Sequence, residues 1–289
     1  MLKTLSALFF LAISLSTMGQ ILDRPSNYEI ENAPNWAHLM YSDNPNVFEV
    51  HSIDQINGLY LSRIKDQKCK VFAADPYKDS DFITEAPTHL LKTWCKIYGL
   101  SYNGEQPQIY LTQPEKDYFT PFYQTDKPIL VIHPNGGPEG LGYQYSWTRD
   151  IPTFNIKEII EHYKSSHTII HIKREDQIVY EDTLQALDGF RSIAILLQLS
   201  DKRLLIDSFS QHMAASLNLK STVCWVSTKP EVFGYKLHNN IKAESFTKEP
   251  DLTSAVYNPF HLAQDIHSIP YNDLNEIFDT NKIVTSLNK

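Results

Sequence analysis

The sequence has few cysteines, and their arrangement argues against two common uses of this residue. Only Cys69, Cys95 and Cys224 occur among 289 residues. Their number is odd, and no two of them have the spacing of a C-x-x-C redox or zinc motif. Cys224 lies inside an apolar, strand-like run, which favours a buried structural thiol. We therefore expect a reducing compartment and a fold without a disulfide framework.

Positive charge is also scarce, because 26 Lys and Arg residues stand against 34 Asp and Glu residues and give a formal net charge of −8. Nucleic-acid phosphates select basic surfaces, so this balance argues against a non-specific nucleic-acid-binding protein. Hydrophobic residues make up 42% and charged residues 21% of the chain, which is ordinary for a soluble globular protein with a sizeable core. The length allows one large domain or two of about 100–150 residues each.

The sequence contains no apolar run of the roughly 20 residues that a transmembrane helix needs. Residues 1–19 have a lysine near their start, an apolar stretch at 8–15 and small residues after it. This pattern is open to two interpretations, a secretory signal peptide or the first buried helix of the fold. We expect a cytoplasmic protein with at most peripheral membrane association, or a secreted one if residues 1–19 are a signal peptide.

Several familiar catalytic motifs are missing as well. The sequence has no G-x-S-x-G elbow, no Walker loop, no H-E-x-x-H and no G-x-G-x-x-G. His38, His51 and His89 are scattered, without the spacing of metal ligands. We therefore expect no metal and no other cofactor, and we look for function in the loops between predicted elements.

Short apolar runs alternate with amphipathic segments along the whole chain. Predicted strands are 47–51, 70–73, 108–112, 129–133, 168–172, 204–206 and 222–226. Predicted helices are 88–98, 156–163, 189–199, 209–218 and a tail at 271–283. This alternation favours an α/β fold with a parallel sheet and helices on both of its faces.

A polar and aromatic stretch divides the chain into two parts. Residues 114–127 contain Pro121 and precede Pro128, which indicates a linker. We therefore expect an N-terminal domain at 1–125 and a C-terminal domain at 126–289, with a cleft between them. No internal repeat of fixed period is present.

The stretch from Arg203 to Ser227 reads as a strand, a tight turn, a helix and a second strand. The Ser-x-x-Gln spacing of Ser208 and Gln211 predicts a capping box at the start of the helix. A helix that begins just past the carboxyl end of a strand directs free N–H groups at a crevice where α/β proteins hold anions. Asp207 and His212 flank this turn, so the sequence predicts a site for a phosphorylated ligand.

Three more loops follow predicted strands of the second half, and each also has an ordinary explanation. Asn135, Gly136 and Gly137 would let backbone N–H groups approach a phosphate, or they form a plain turn. Arg149 offers a planar guanidinium to phosphate, or it makes a surface ion pair with a carboxylate such as Asp150. The third loop, 171–177, is rich in charge and is either functional or simply solvated.

Together these loops resemble the heptosyltransferase-like glycosyltransferases, the ADP-heptose:lipopolysaccharide family (glycosyltransferase family nine). That family has a strand followed by P-[GS]-[GA], a K-x-W-P element, a D-[ST]-G-x-x-H-x-A-A pattern and a G-x-T-x-P turn. Matching positions here are His133 to Gly137, Arg149 to Pro152, Asp207, Ser208, His212, Ala214, Ala215 and Ser227 to Pro230. The resemblance covers about residues 127–235.

The resemblance implies a GT-B fold, in which two Rossmann-like domains face a cleft, and here the first domain is incomplete or divergent. It implies a nucleotide-diphosphate-sugar donor held by the second domain and a glycan or lipid-linked glycan acceptor held by the first. Glu175 corresponds to a carboxylate near the sugar of the nucleotide. The implied donor-binding residues are Asn135, Gly136, Gly137, Arg149, Lys173, Glu175, Asp207, Ser208 and His212.

Two departures from the family pattern affect the expected chemistry. Phe209 replaces the glycine that follows Asp-[ST]. The N-terminal G-x-G-D loop, whose aspartate is the family's base, has no counterpart, and residues 4–14 resemble the helix that would follow it. Three explanations stay open: a truncated chain, a divergent enzyme with another base, or a catalytically inactive relic that binds a glycan or a protein partner.

Overall fold

The structure is a computed structural model that describes most of the second half of the chain and part of the first. Two short strands have a described backbone, β1 (Glu29–Ile30) and β2 (Glu49–Val50), and they pair in parallel. The other described residues are 88–136, 148–187, 189–248 and 270–289. β2 lies within the strand predicted at 47–51, whereas the strand predicted at 70–73 and residues 1–19 lie outside the described residues.

The described residues between 88 and 289 pack around a sheet of six strands. They are β3 (Ile129–Ile132), β4 (Thr168–His171), β5 (Leu184–Gln185), β6 (Lys202–Ile206), β7 (Thr222–Trp225) and β8 (Asn239–Lys242). Their order is β5-β4-β3-β6-β7-β8, and every neighbouring pair is parallel. β3, β4, β6 and β7 confirm the strands predicted from apolar runs. The sequence pattern missed β5, whose two residues are exposed, and β8, which is mostly polar.

Helices cover both faces of this sheet. They are α1 (Leu90–Ile97), α2 (Gln113–Phe119), α3 (Thr153–Tyr163), α4 (Phe190–Leu199), α5 (Phe209–Ser216), α6 (Pro230–Phe233) and α7 (Thr280–Leu287). Short 3-10 turns are present at Thr120–Tyr123 and Leu274–Glu276. In the described part of the chain, no helix has both the length and the apolar composition that a membrane span requires.

Each face of the sheet has its own hydrophobic core, because neighbouring residues along a strand point to opposite sides. Val131 and Leu205 belong to a first core with residues of α1, α4, α5 and α6. Leu130 and Leu204 belong to a second core with residues of α3 and α7, and the buried Cys224 lies there too. This arrangement confirms the expected α/β class and the buried, structural thiol.

α1 confirms the helix predicted at 88–98 and packs directly on the sheet. Leu90, Leu91 and Trp94 are almost completely buried in the first core. Gly99 ends the helix with a φ of +70°, a conformation that glycine adopts without strain. α1, which the predicted boundary assigns to the N-terminal domain, thus shares a core with the sheet. The division into domains 1–125 and 126–289 stays a prediction.

Residues 114–127, interpreted as a linker between domains, are largely helical, and their role as a linker stays a prediction. The segment contains α2, whose N-terminus has a capping box in which Thr112 and Glu115 satisfy each other's backbone N–H. Glu115 also accepts two hydrogen bonds of 2.5 Å from the buried Arg191 of α4. The prolines stand at the first turns of α2 and of the 3-10 helix, where the missing N–H costs nothing. The predicted strand at 108–112 is wrong, since these residues are irregular.

The tail is helical, but not where the sequence pattern placed it. α7 begins and ends later than the predicted range 271–283. It closes the second core and is tied to the sheet by polar contacts. The hydroxyl groups of Thr222 and Ser286 are 2.8 Å apart, and the Lys202 ammonium donates to the Leu287 carbonyl at 2.8 Å.

Candidate functional site

The predicted site loops lie at one edge of the sheet. Since all six strands run in parallel, the carboxyl ends of β4, β3, β6 and β7 are neighbours in that order. The loops that follow these strands carry residues 133–136, 172–177, 207–208 and 226–229. This is the edge where open α/β sheets bind ligands.

Asp150 organises the loop after β3. Its two carboxylate oxygens accept hydrogen bonds from the Gly136 backbone N–H at 2.8 Å and from the Asn135 side-chain amide at 3.2 Å. Gln177, from the loop after β4, donates to the carbonyl oxygens of Asn135 and Gly136 at 3.3 and 3.4 Å. Asp150 is buried, so its role is to hold a loop rather than to form a surface ion pair. Gly137 lies outside the described residues.

The side chain of Arg149 lies across Gly136. A Cβ atom at Gly136 would be 2.7 Å from Cδ of Arg149 and 3.2 Å from Cδ1 of Ile206. Both distances are shorter than carbon–carbon van der Waals contact. Gly136 is therefore required for the close approach of Arg149, a different use of glycine from the predicted one.

The charge of Arg149 acts on three groups at the same edge. Burial lowers the pKa of His133 and of His212 to about 3, and the positive charge of Arg149 adds to both effects. Burial raises the pKa of Asp207, and Arg149 opposes that rise. The structure thus brings together Gly136, Arg149, Asp207 and His212 among the predicted residues, and adds His133.

The capping box predicted at α5 is not formed. Ser208 is the N-cap residue as expected, but its side chain makes no capping hydrogen bond. The Gln211 side chain instead donates to the Phe233 carbonyl at 3.1 Å, because Gln211 is fully buried against α6. The Ser208 side chain therefore does not cap the backbone N–H groups in the first turn of α5. The helix also ends at Ser216, where Asn218 with a φ of +56° terminates it.

His212 is half-buried on the second turn of α5. Its Nδ1 lies 2.9 Å from the hydroxyl of Tyr235. Because its pKa is lowered to about 3 by burial and by nearby His89, His238 and Arg149, the ring is neutral at pH 7. His212 is then a hydrogen-bonding group rather than a cation.

Phe209, the residue in place of the family's glycine, has a definite packing role. Its ring lies 5.2 Å from the His133 ring and 5.3 Å from the Phe190 ring, in tilted and edge-on geometry. His133 is further tied to α5 by a 2.6 Å contact between its Nδ1 and the Ser210 hydroxyl. The start of α5 is therefore fixed to the loop after β3 by side chains.

Lys173 and Glu175, two of the predicted donor-binding residues, do not belong to the group around Arg149. Lys173 donates from its ammonium to the Arg174 carbonyl at 2.8 Å, and Glu175 is exposed in the turn after β4. Among the contacts of the described residues, none joins either side chain to Arg149 or Asp207. Their roles in ligand binding stay predictions.

Several residues of the site were missed by sequence reasoning. These are His133, Asp150, Gln177, Ser210 and Tyr235. His133 stands directly after a predicted strand, which is a usable signal, whereas Tyr235 is 23 residues from its partner His212 and no spacing rule links them. Within the described ranges, no three His, Cys, Asp or Glu side chains are grouped to hold a metal ion, and the expected absence of a cofactor stays a prediction.

The chain was compared with known sequences and solved structures. No family model and no curated protein sequence matches it. Solved structures are similar in fold, and three of them are described here. A glycosyl transferase family 9 protein from Veillonella parvula has a TM-score of 0.66 at 10% identity, over 96% of this chain and 91% of that one.

Two E. coli enzymes are also similar. ADP-heptose lps heptosyltransferase II has a TM-score of 0.58 at 13% identity, with 82% of this chain and 87% of that chain covered. Heptosyltransferase WaaC with ADP has a TM-score of 0.50 at 12% identity, with 82% and 90% covered. The chain therefore has the GT-B-like α/β fold of glycosyltransferase family nine and the heptosyltransferases, the family that its loops resemble.

Proposed function

We propose that this protein is a glycosyltransferase that moves a sugar from a nucleotide-diphosphate-sugar donor to a glycan or lipid-linked glycan acceptor. The observation that carries the proposal is the position of Arg149. It lies against Gly136, and its charge acts on Asp207 and His212, at the edge where α5 begins without a Ser208 side-chain cap. A guanidinium beside a helix N-terminus suits a diphosphate.

The proposed reaction is a direct displacement at the anomeric carbon. The acceptor oxygen forms a bond to this carbon while the bond to the diphosphate oxygen breaks, and the electron pair leaves with the diphosphate. The attack comes from the face opposite the leaving group, so the anomeric configuration inverts. Arg149 and the N–H groups of α5 stabilise the charge that develops on the leaving diphosphate.

ADP and ADP-sugars are the first candidates for the nucleotide of the donor. One similar structure is named for ADP-heptose and another contains ADP. The proposal uses no metal, since a cationic side chain and backbone N–H groups supply the positive potential. The base that takes the acceptor proton is assigned to no described residue.

We expect Arg149→Ala to weaken nucleotide diphosphate binding at least tenfold. The variant removes a charge-assisted hydrogen bond, for which about 1.5–3 kcal/mol is usual. The measurement is isothermal titration with ADP, GDP and UDP and their sugars. Lys127→Ala is the matched control, because it removes one exposed positive charge just before β3, at the opposite edge of the sheet, and we expect it to leave affinity unchanged.

The proposal fails if the folded wild-type protein binds none of these nucleotides. Binding without transfer or donor hydrolysis would favour the alternative, a catalytically inactive relic of the fold that binds a glycan or a protein partner. Equal loss of affinity in Lys127→Ala and Arg149→Ala would show that net charge, rather than the position of Arg149, controls binding.

We expect Gly136→Ala to lower nucleotide affinity by displacing Arg149. The added methyl group would meet Cδ of Arg149 at 2.7 Å, and a flexible side chain moves aside at low cost. The guanidinium would then leave its place. In an Arg149→Ala background the same substitution should have no further effect on affinity, and additive losses in the double-mutant cycle would contradict this mechanism.

A further inference from the structure

The imidazole of His212 is in contact with a buried tyrosine. Nδ1 of His212 and the Tyr235 hydroxyl are 2.9 Å apart, and the two rings meet edge-on with centroids 5.5 Å apart. Tyr235 lies on the chain just after α6, and only 5% of its surface is exposed. The contact joins the candidate site to the segment after β7.

The direction of this hydrogen bond follows from the partners of the tyrosine. Within the described ranges, the Tyr235 hydroxyl forms no other hydrogen bond. A buried hydroxyl proton without an acceptor costs about 1–3 kcal/mol, so the proton points to Nδ1 of His212. Burial and the nearby Asp207 carboxylate raise the pKa of Tyr235, so the proton stays on the oxygen.

The neighbouring amide of Gln211 does not compete for the nitrogen lone pairs. Its Nε2 lies 3.3 Å from Nδ1 and 3.1 Å from Nε2 of His212. Nearly equal distances to both nitrogens place the amide over the face of the ring rather than in its plane. The amide also donates to the Phe233 carbonyl at 3.1 Å, so it supports the ring, and the hydrogen bond in the plane of Nδ1 is the one from Tyr235.

Tyr235 is itself held rigidly. The rings of His89 and His238 approach it at centroid distances of 6.0 and 5.8 Å. Its carbonyl oxygen accepts from the Asn240 side chain at 3.0 Å and from the His238 N–H at 3.1 Å. The hydroxyl is therefore aimed by packing before any ligand arrives.

We propose that Tyr235 is a positioning residue for His212. Its hydroxyl donates to Nδ1 and so fixes the neutral imidazole in the tautomer whose Nε2 carries the proton. The further step, in which this N–H donates to the diphosphate of the donor, rests on the proposed function. The tautomer does not depend on the proposed function, because it follows from contacts within the chain.

The tautomer is read directly from nitrogen NMR of the wild-type protein. Long-range proton–nitrogen spectra at pH 7 should show an acceptor-type Nδ1 and a protonated Nε2 for His212, and the His212→Gln variant assigns these signals by their loss. A protonated Nδ1 in the wild type would overturn the proposal. This measurement needs no ligand and no substitution at Tyr235.

Tyr235→Phe tests the consequence for binding. The variant keeps the buried ring and removes the hydroxyl, so His212 should sample both tautomers and the affinity for inorganic pyrophosphate should fall about twofold, in proportion to the fraction of molecules that keep the proton on Nε2. Tyr271→Phe is the control, since Tyr271 is also buried and loses a comparable 2.9 Å hydrogen bond, to the Glu244 carbonyl. We expect it to change neither the spectrum of His212 nor the affinity.

The outcomes separate this inference from the proposed function. If the wild type binds neither pyrophosphate nor any nucleotide, the proposed function fails, while the nitrogen spectra still decide the tautomer. If the wild type binds pyrophosphate and Tyr235→Phe binds it equally well, the positioning role is overturned.

Discussion

The free energy of unfolding should fall by about 4–5 kcal/mol per pH unit between pH 6 and pH 5. Four histidines cause this slope: His133, His171, His212 and His238. Burial lowers their pKa values to about 3, 4, 3 and 4, from an unfolded value near 6.5. In this window the unfolded chain binds their protons and the folded chain does not. The stabilisation is present above pH 6.5 and is lost as the pH falls toward the folded values.

Urea unfolding at pH 7.0, 6.0, 5.5 and 5.0 measures this slope. His171→Phe should reduce it by about one quarter, since one of the four titrating groups is removed. Neither ring nitrogen of His171 has a hydrogen-bond partner in the described structure, so the substitution loses no hydrogen bond and should not destabilise the fold at pH 7. An unchanged slope in this variant would show that carboxyl groups, rather than buried histidines, cause the acid sensitivity.

Glu115→Ala should destabilise the protein by about 3 kcal/mol. Arg191 is buried at the start of α4, where it donates to both oxygens of Glu115 at 2.5 Å and to the Tyr110 carbonyl at 2.6 Å. The variant leaves the guanidinium buried without its carboxylate, and it also removes the Thr112 capping box. The hydrogen bonds from Arg191 hold the pKa of Glu115 at about 2, so the ion pair persists from pH 7 to pH 5.

Chemical denaturation of Glu115→Ala, compared with Glu231→Ala, checks this expectation. The ion pair of Glu231 with Lys242 is exposed on both sides, and such pairs contribute about 0.5 kcal/mol or less. The double variant with Arg191→Leu should regain part of the loss, because no buried charge remains unpaired. If Glu115→Ala lowers the free energy of unfolding no more than Glu231→Ala does, solvent reaches Arg191 readily.

The sheet was predictable because its central strands are buried on both sides. β3, β4, β6 and β7 are continuous apolar runs, and such runs are a strong signal. The edge strands carry a weaker signal, since both residues of β5 are exposed and β8 alternates between partly buried and exposed residues. The aromatic and proline-containing segment around α2 was not predicted as helical because its helix depends on a partner, Arg191, that is 76 residues from Glu115.

The candidate site was predictable where one loop carries the signal and unpredictable where two loops meet. Arg149 and Asp207 each follow a recognisable element, and the parallel sheet brings them together. The capping box at Ser208 failed because Gln211 finds a stronger partner in α6. Tyr235 and Asp150 act through contacts between loops, and no local pattern encodes such contacts.

The way α7 closes the second core has a consequence for synthesis of the protein. Lys202 in β6 and Thr222 in β7 find their partners at Leu287 and Ser286. The apolar face that α7 covers is therefore incomplete until residues more than 60 positions later have left the ribosome. During that interval the part of the second core that α3 does not cover stays exposed on the nascent sheet, and transiently exposed apolar surface of this kind promotes aggregation.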